Sequence, residues 1–269
     1  MAGVAKLLII AGSDSGGGAG IQADLKAASA LGVYAATAIT AITAQNTLGV
    51  QAAQALAPDL VVAQIRSVLD DIGADAVKIG MLGNADVVAA VAGALEGYAG
   101  PVVLDPVMVA KSGDALLTEA AVAALRRHLL PRATLLTPNL PEAARLLETS
   151  AGMAAPNASP ETMGRGLLAL GAGAVLVKGG HAEGPVCRDL LVTPAGTRIY
   201  EADRIDTRNT HGTGCSLSSA IAAGLAQGLA LAEAVARAHA WLHGAILAAD
   251  ALRIGQGHGP VHHFHEVWA

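Results

Sequence analysis

Short apolar runs alternate with segments of helical periodicity over the first 180 residues of the chain. The apolar runs predict six buried strands at Lys6–Ala11, Tyr34–Thr43, Ala76–Ile79, Pro101–Leu104, Ala133–Thr137 and Ala174–Lys178. Their residues are apolar almost without interruption, which is typical of strands that are buried on both faces of a parallel sheet. Strands that alternate with helices predict βαβ units, and therefore a mostly parallel central sheet.

Turn and capping residues separate the helices from these strands. The pattern predicts helices over Ile21–Leu31, Pro58–Asp71, Ser159–Gly171, from the cap Asn84 to Leu95, from the cap Thr118 to Leu130, and from Pro141 onward. Beyond residue 180 the pattern changes to a predicted antiparallel hairpin, Asp189–Thr193 and Thr197–Glu201, followed by the helices Cys215–Leu229 and Leu231–Leu247. The expected architecture is one three-layer α/β/α domain over residues 1–269, with the hairpin near its C-terminal part.

Composition narrows the class of protein. Hydrophobic residues make up 53% of the chain but aromatic residues only 2%, so the core must consist of Val, Ile, Leu and Ala. The net charge of −5 without a basic stripe excludes nucleic acid and anionic membranes as expected partners. Two cysteines, Cys187 and Cys215, are too few for a disulfide framework and fit a reducing cytoplasm. The apolar segment Ser216–Leu231 contains Gln227 and three serines, which favours a buried helix over a membrane span.

The turn Gly212-Thr213-Gly214 leads directly into the apolar helix that begins at Cys215. Glycines leave backbone N–H groups uncovered, and a helix N-terminus adds the positive end of its dipole. Together these features predict a site that binds anions and stabilises charge developing in a reaction. A glycine turn before a core helix is the plain alternative, but His211 and Cys215 beside the turn favour chemistry.

Polar side chains stand where several predicted strands end. Gln45, Asp105 and Lys178 follow or close strands, and Glu142 lies in the first turn of the helix after another. Because parallel strands end at one edge of a sheet, these side chains should lie near one another. Phosphoryl transfer needs an anion cradle, acids that hold a divalent cation, and a cation for the phosphates, and all are present here. The alternatives are an Asp105 that caps a turn and a Glu142 that belongs only to its helix.

The first glycine loop contains a weak dinucleotide-binding pattern, Gly18–Ala23, which matches G-x-G-x-x-A. The following strand offers no acid for a ribose, and the chain has no phosphate-binding G-x-x-x-x-G-K-[ST] motif. The loop is predicted to meet a small ligand, with Asp24 on the first helical turn; the alternative is a solvated Asp24. The C-terminal histidines His258, His262, His263 and His265 match no helix face, so a metal site is not favoured.

Eight motifs, in one order, carry a resemblance to a known family. They are AGSDSGGGAGIQADLKA, AITAQNTLGV, KIGML, DPVMVAKSGDALL, TPNLPEA, VLVKGGH, NTHGTGC and GPVHHF. From Leu8 to Trp268 the chain resembles the bacterial hydroxymethylpyrimidine/phosphomethylpyrimidine kinases of thiamine biosynthesis, within the ribokinase-like superfamily. The most specific segments are GTGC, AQN and PVHHF, whereas TPNLPEA and KGGH are shared with pyridoxal-type kinases.

The resemblance implies a role for each matching residue. Gly212, Thr213, Gly214 and Cys215 form the anion hole for the transferring phosphoryl group, and Cys215 replaces the aspartate base that most ribokinase-like enzymes have. Asp105 and Glu142 belong to the Mg²⁺ site, while Lys178, Asn139 and His211 lie on the nucleotide side. The pyrimidine pocket comprises Gly12, Asp24, Gln45, Met81 and Val107.

The implied activity is ATP-dependent phosphorylation of 4-amino-5-hydroxymethyl-2-methylpyrimidine and then of its monophosphate. ATP and Mg²⁺ are the implied cofactors, with the need for a monovalent cation left open, and the enzyme is expected to be a cytoplasmic homodimer. Pyridoxal kinase activity is the alternative within the superfamily. A thiol acyltransferase or hydrolase using Cys215, and a vitamer-binding sensor without turnover, are the rival classes.

Overall fold

Nine strands form one continuous sheet in the computed structural model, which describes residues 3–108, 117–148, 158–180 and 184–268. The strands are β1 Lys6–Asp14, β2 Tyr34–Asn46, β3 Gly49–Ala55, β4 Ala76–Ile79, β5 Val102–Leu104, β6 Leu135–Leu136, β7 Val175–Val177, β8 Val186–Thr193 and β9 Gly196–Asp203. Their spatial order is β3-β2-β1-β4-β5-β6-β7-β8-β9. Six neighbouring strands are parallel, and they are β2, β1, β4, β5, β6 and β7. The other three, β3, β8 and β9, pair antiparallel with their neighbours.

Helices cover both faces of this sheet. They are α1 Gly20–Ala30, α2 Pro58–Ser67, α3 Ala85–Ala94, α4 Glu119–Ala124, α5 Leu140–Glu148, α6 Pro160–Ala169, α7 Thr213–Ala226 and α8 Leu231–Leu247. Alternate residues of each strand belong to separate cores: Leu8 and Ile10 of β1 pack toward α2 to α6, whereas Leu7 and Ile9 pack toward α1, α7 and α8. The three-layer α/β/α prediction is therefore confirmed.

The sequence predicted the buried strands and the hairpin, but it missed the exposed edge strand β3. β3 was not predicted, because most of its residues are exposed and Ala and Gln favour strands weakly. Backbone pairing to the end of β2 holds it at the sheet edge, with Gln45 opposite Val50. β2 therefore extends to Asn46, three residues beyond the predicted end at Thr43. Gln45 is the second-last residue of this strand and does not lie in a loop.

β1 also runs three residues further than predicted, to Asp14, with an irregular register against β2 between Ala11 and Ser13. The predicted caps Asn84 and Thr118 are confirmed, since each side chain accepts a backbone hydrogen bond in the first turn of its helix. Ser159, predicted as the first residue of its helix, is also a cap of this kind. The predicted loop Lys111–Asp114, most of the predicted linker Ser150–Ser159, and His181 lie outside the described residues. Within the described residues, no helix is long and apolar enough to cross a membrane.

The strand order reverses beside β1, since β2 lies on one side of it and β4 on the other. Crevices at the carboxyl ends of strands form at such switch points, because the two connecting chains leave in opposite directions. Asp14 ends β1 and Gly80 follows β4, so both lie at this crevice. Helix α7 packs across β1, β4 and β5, which brings its N-terminus to the same edge.

Candidate active site

The N-terminus of α7 is shaped by a glycine that no other residue could replace without rearrangement. Gly212 caps the helix with φ +78°, a left-handed conformation that disfavours residues with a side chain. A Cβ at this position would also collide with the carbonyl oxygen of Gly18 in the first glycine loop. The close approach places the first turn, Thr213-Gly214-Cys215, at the crevice with the N–H groups that a helix start leaves without intrahelical partners.

The first glycine loop is organised by Asp14. Its Oδ1 accepts a hydrogen bond from the Gly16 amide at 2.8 Å, and its Oδ2 accepts from the amides of Gly18 and Ala19 at 3.2 and 2.8 Å. Burial opposes the charge, but hydrogen bonds from His211 and these amides lower the pKa of Asp14 below its usual value. The backbone donors of the loop are thus already bonded to the Asp14 carboxylate. The loop itself packs against the start of α7, where Gly18 contacts Gly212.

His211 lies on the same side as Gln45. Its Nε2 is 2.9 Å from Asp14 Oδ2 and 3.4 Å from Gln45 Nε2. His211 was expected on the nucleotide side, and its ring lies between Asp14 and Gln45, the second of which is expected to face the pyrimidine. The sequence position beside the Gly212 turn gave no sign of this, because the partner Asp14 is 197 residues away.

A second charged cluster lies at the ends of β5, β6 and β7. Lys178 Nζ donates to Asp105 Oδ1 at 2.8 Å, Thr137 Oγ1 donates to the same oxygen at 3.1 Å, and Ser218 Oγ donates to Oδ2 at 3.2 Å. Burial opposes ionisation of Asp105, but the charges of Lys178 and Lys78, together with the hydrogen bonds from Lys178 and Thr137, lower the pKa of this carboxyl below its usual value. Conversely, Asp105 and Glu142 raise the pKa of Lys178 against desolvation, so the lysine stays charged. Gly214 packs against this pair: a Cβ there would lie 3.2 Å from Lys178 Nζ.

Asn139 and Glu142 form a reciprocal capping box at the start of α5. The Asn139 amide donates to Glu142 Oε2 at 2.8 Å, and the Glu142 amide donates to Asn139 Oδ1 at 2.9 Å. The helical reading of Glu142 is thus correct, and its nearness to Asp105 is correct as well. Desolvation and the charge of Asp105 raise the pKa of Glu142, despite the opposing effect of Lys178.

These two acids fit a divalent cation by their chemistry. Mg²⁺ prefers hard oxygen ligands and commonly takes one or two carboxylates, with water and substrate phosphates completing its shell. A cation beside Asp105 and Glu142 would relieve the repulsion that raises the pKa of Glu142. Within the described residues, no group of three His, Cys, Asp or Glu is arranged to hold a metal by protein ligands alone.

Two of the C-terminal histidines, His263 and His265, pack against the protein. His263 is buried, its Nε2 forms a 2.9 Å hydrogen bond with Ser216 Oγ, and its ring lies 6.2 Å from that of Trp241. Desolvation lowers the pKa of His263 to about 3, so the ring is neutral. His265 also faces Trp241, with 6.1 Å between ring centroids. The C-terminal segment is therefore attached to the start of α7 through the hydrogen bond between His263 and Ser216.

The structure also changes the assignment of Asp24. Its carboxylate is fully buried, accepts two hydrogen bonds from Lys78 Nζ at 2.9 and 2.8 Å, and accepts a third from Ser219 Oγ at 2.7 Å. It is neither solvated nor part of the cavity wall, whereas its partner Lys78 does border the cavity. The signal in the sequence was Lys78 itself, a charge inside the buried strand AVKI that must have a buried counter-charge.

Cys215 is a neutral thiol at physiological pH. Desolvation, with contributions from Asp24 and Asp105, raises the pKa of Cys215 to about 11, although Lys78 and a hydrogen bond from the Gly20 amide act in the opposite direction. The helix N-terminus therefore does not produce a thiolate here. A low thiol pKa is what a cysteine nucleophile needs, so the thiol acyltransferase or hydrolase reading loses its main support.

One cavity of about 1120 Å³ connects these groups along the carboxyl edge of the sheet. Every sequence-predicted site residue except Asp24 borders it: Gly12, Gln45, Met81, Asp105, Val107, Asn139, Glu142, Lys178, His211, Gly212, Thr213, Gly214 and Cys215. The part beyond Lys178 is lined by residues that sequence reasoning missed, among them Pro185, Ile205, Leu242 and Ile246. These apolar residues come from the β8–β9 region and α8, which carry no recognisable site motif. The fold and this site define a ribokinase-like kinase of small molecules.

The particular family follows from comparison with known proteins. The phosphomethylpyrimidine kinase family matches residues 14–262, and the chain belongs to this family of kinases. It is 56% identical over 261 residues to the hydroxymethylpyrimidine/phosphomethylpyrimidine kinase of Rhizobium meliloti, covering 97% of each chain. It is 53% identical over 266 residues to the kinase of the same name from Escherichia coli, covering 97% of this chain and 98% of the relative.

Solved structures agree on the fold. Phosphomethylpyrimidine kinase from Clostridium difficile is 41% identical, with a TM-score of 0.78 over 90% of this chain and 99% of that one. Pyridoxal kinase from Staphylococcus aureus, in complex with AMP-PCP and pyridoxal, is 32% identical, with a TM-score of 0.88 over 99% and 96%. The resemblance seen in the sequence motifs is therefore confirmed.

Proposed function

We propose that this protein uses ATP to phosphorylate 4-amino-5-hydroxymethyl-2-methylpyrimidine and then phosphorylates the resulting monophosphate. The observation that carries the proposal is the position of the α7 N-terminus in the cavity. It lies between the Gln45–His211 side and the Lys178–Asp105 side, so a phosphoryl group at this point has an acceptor on one side and a nucleotide on the other. Family membership supports the choice of acceptor.

The acceptor pocket is the part of the cavity near β1, β2 and β4. Gln45 offers a carbonyl acceptor and an amide donor, a pair that matches the ring nitrogen and amino group of an aminopyrimidine. Gly12, Met81 and Val107 border the same part of the cavity and provide apolar walls for the ring. Asp24 contributes to this pocket indirectly, through Lys78.

The phosphate side is served by Lys178 and by the first turn of α7. The backbone amides of Gly212-Thr213-Gly214 and the helix dipole stabilise the phosphoryl group, whose charge is spread over its equatorial oxygens during transfer. Lys178, kept charged by Asp105, neutralises the nucleotide phosphates next to Gly214. The Asn139 backbone pairs with that of Lys178, so Asn139 lies at the same point.

Asp105 and Glu142 would hold Mg²⁺, with Asn139 fixing Glu142 through the capping box. When bound, Mg²⁺ would neutralise part of the negative charge of the nucleotide phosphates. The lysine and the acids on this chain keep the site close to electroneutral, and the buried position excludes bulk water from the phosphates.

Cys215 stands next to the transferring group as a neutral thiol. A neutral group suits an enzyme with two acceptors, since it does not repel the ionised phosphate of the second one. The rival class, a thiol enzyme, predicts rapid inactivation by iodoacetamide without protection by ATP. The kinase proposal predicts slow alkylation of Cys215 at neutral pH and protection by bound nucleotide.

The direct test is turnover. The purified protein is incubated with ATP, Mg²⁺ and either the hydroxymethylpyrimidine or its monophosphate, and ADP and the phosphorylated products are quantified. Formation of both the monophosphate and the diphosphate is expected. Binding of the pyrimidine without ADP formation would instead identify a sensor, and no binding would refute the acceptor assignment.

Pyridoxal kinase activity is a second candidate, because pyridoxal kinases are among the solved structures with TM-scores of 0.86 to 0.88. Pyridoxal therefore belongs in the same assay as a third acceptor. We further propose a homodimer in the cytoplasm, where both free cysteines remain reduced. The requirement for a monovalent cation is tested in the same assay by varying the monovalent salt of the buffer.

A further inference from the structure

Lys78 is a fully buried lysine in β4, an interior strand of the sheet, and the proposed mechanism gives its charge no role in phosphoryl transfer. Its neighbours in β4, Val77 and Ile79, pack into the core under α2 and α3, so Lys78 faces the other layer, under α1 and α7. A lysine in such a position loses its charge unless an acid compensates the desolvation. Asp24 provides this compensation and raises the pKa of Lys78 against burial.

The Lys78–Asp24 pair is oriented. The ammonium group extends along β4 toward its carboxyl end, where a Cβ on Gly80 would lie 2.9 Å from Nζ. Lys78 borders the cavity together with Cys215, whereas Asp24 does not. The pair is therefore a fixed dipole with its positive end toward the site and its negative end toward α1.

Ser219 links the Asp24 end of this dipole to α7, while the two hydrogen bonds from Lys78 to Asp24 hold the pair itself together. Its hydroxyl donates to Asp24 Oδ1 at 2.7 Å, and it lies one helical turn after Cys215, on the same face of the helix. The chain of contacts Lys78–Asp24–Ser219 thus ends directly behind Cys215. The neighbouring residue Ser218 makes the equivalent contact with Asp105, the acid that holds Lys178.

We propose that Lys78 is a positioning residue that favours the phosphorylated acceptor over the alcohol, by directing a buried positive charge at the acceptor next to Cys215. The inference rests on the proposed function, because it concerns how one site serves two acceptors. The alcohol is uncharged, so the field of Lys78 affects it little. The monophosphate brings negative charge into the same low-dielectric pocket, where an oriented positive charge attracts it strongly.

The test uses a variant that keeps the buried site neutral. In the double variant Lys78→Met with Asp24→Asn, both charges are removed together, which avoids a lone buried charge. We expect kcat/KM for the monophosphate to fall about five- to tenfold relative to kcat/KM for the alcohol. Ser219→Ala is the matched control: it removes a hydrogen bond but no charge, so it should change both acceptors alike. An unchanged ratio in the double variant overturns the proposal, as does an equal change of the ratio in Ser219→Ala.

A second readout needs no turnover and separates this inference from the proposed function. In a Cys187→Ser background, Cys215 is the one thiol left in the chain. Its alkylation by iodoacetamide at about pH 8 reports the charges that face it, which are Lys78, Asp24, Asp105 and Lys178. The double variant should alkylate several-fold more slowly, because Lys78 favours the Cys215 thiolate more strongly than Asp24 opposes it. An equal or faster rate contradicts the orientation of the dipole. Wild-type protein that alkylates as expected but phosphorylates neither pyrimidine would refute the proposed function alone.

Discussion

His211 Nε2 and Asp14 Oδ2 lie 2.9 Å apart, and their hydrogen bond joins the residue before the α7 turn to the residue that organises the first glycine loop. Because Asp14 is held ionised by the amides of Gly16, Gly18 and Ala19, the proton of this bond belongs to His211 Nε2. One carboxylate thus sets both the shape of the glycine loop and the tautomer of the histidine. The bond closes the acceptor side of the site, since Gln45 lies beside the same ring.

Removing the imidazole should therefore damage acceptor binding more than nucleotide binding. We expect His211→Ala to raise KM for the pyrimidine about tenfold and to leave KM for ATP within about twofold, since a charge-assisted hydrogen bond contributes about 1.5–3 kcal/mol. His211→Asn should recover part of the loss, because its amide can still donate to Asp14. His258→Ala, at an exposed histidine, is the control. A change confined to KM for ATP would restore the nucleotide-side assignment.

Gln45 provides the test of ring recognition. Gln45→Ala should raise KM for the pyrimidine by about ten- to a hundredfold, because a polar edge of the ring is then buried without its partner, and KM for ATP should stay nearly constant. The matched control is Gln51→Ala in β3, which removes an exposed glutamine whose hydrogen bonds are local. Steady-state kinetics with each substrate varied in turn provides the measurement. If Gln45→Ala changed KM for ATP alone, Gln45 would contact the nucleotide and not the pyrimidine.

Glu142→Gln separates the two roles of this residue. Glutamine preserves the capping box with Asn139 but removes the charge, so stability should change by less than about 1 kcal/mol. Turnover should fall about 10²-fold or more and should require higher Mg²⁺ concentrations. Glu161→Gln, at an exposed acid paired with Arg165, serves as the control. If a Mg²⁺ titration gave identical curves for Glu142→Gln and the wild type, Glu142 would not belong to the metal site.

The parallel strands, β3 and His211 show which features of this protein can be predicted from its sequence. Local signals were sufficient for the parallel strands, because burial on both faces leaves apolar runs such as KLLIIA. They were insufficient for β3, because this strand is held by backbone pairing at an exposed edge. Its side chains are mostly exposed, so its sequence has no apolar run. The strand ends predicted that Gln45, Asp105 and Lys178 share an edge, since topology fixes this. The contacts of His211 with Asp14 and of Asp24 with Ser219 join side chains that are 197 and 195 residues apart, and spacing along the chain cannot reveal them.

His263 makes the fold sensitive to acid. Burial lowers its pKa to about 3, below the value of about 6.5 in an unfolded chain. The unfolded state therefore binds more protons between these two values, so this contribution to stability is complete above about pH 6.5 and is lost as the pH falls toward 3. From pH 7 to pH 5 we expect a loss of about 1–2 kcal/mol in the free energy of unfolding. Urea denaturation of the wild type and of His263→Gln measures it: the variant should be less stable at pH 7 and should lose less on acidification. Parallel pH curves for the two proteins would contradict the buried neutral histidine.

Cys215 offers the sharpest test of how the site treats charge. With its pKa raised to about 11, the thiol is neutral beside the acceptor, in a setting that already contains Asp24 and Asp105. Cys215→Asp adds a carboxylate that can take the proton of the alcohol, so phosphorylation of the hydroxymethylpyrimidine should be kept or improved. The same carboxylate repels the monophosphate at a cost of about 1–4 kcal/mol, so kcat/KM for the second step should fall about tenfold to several hundredfold.

Cys215→Ala removes the thiol without adding charge and is the matched control. It should slow the alcohol step more than the monophosphate step, because only the alcohol has a proton to lose. The measurement is kcat/KM for both acceptors in both variants, with the ratio of the two constants compared with that of the wild type. If both variants lose activity in parallel on the two acceptors, then charge at position 215 does not discriminate between them, and Cys215 only fills space at the start of α7.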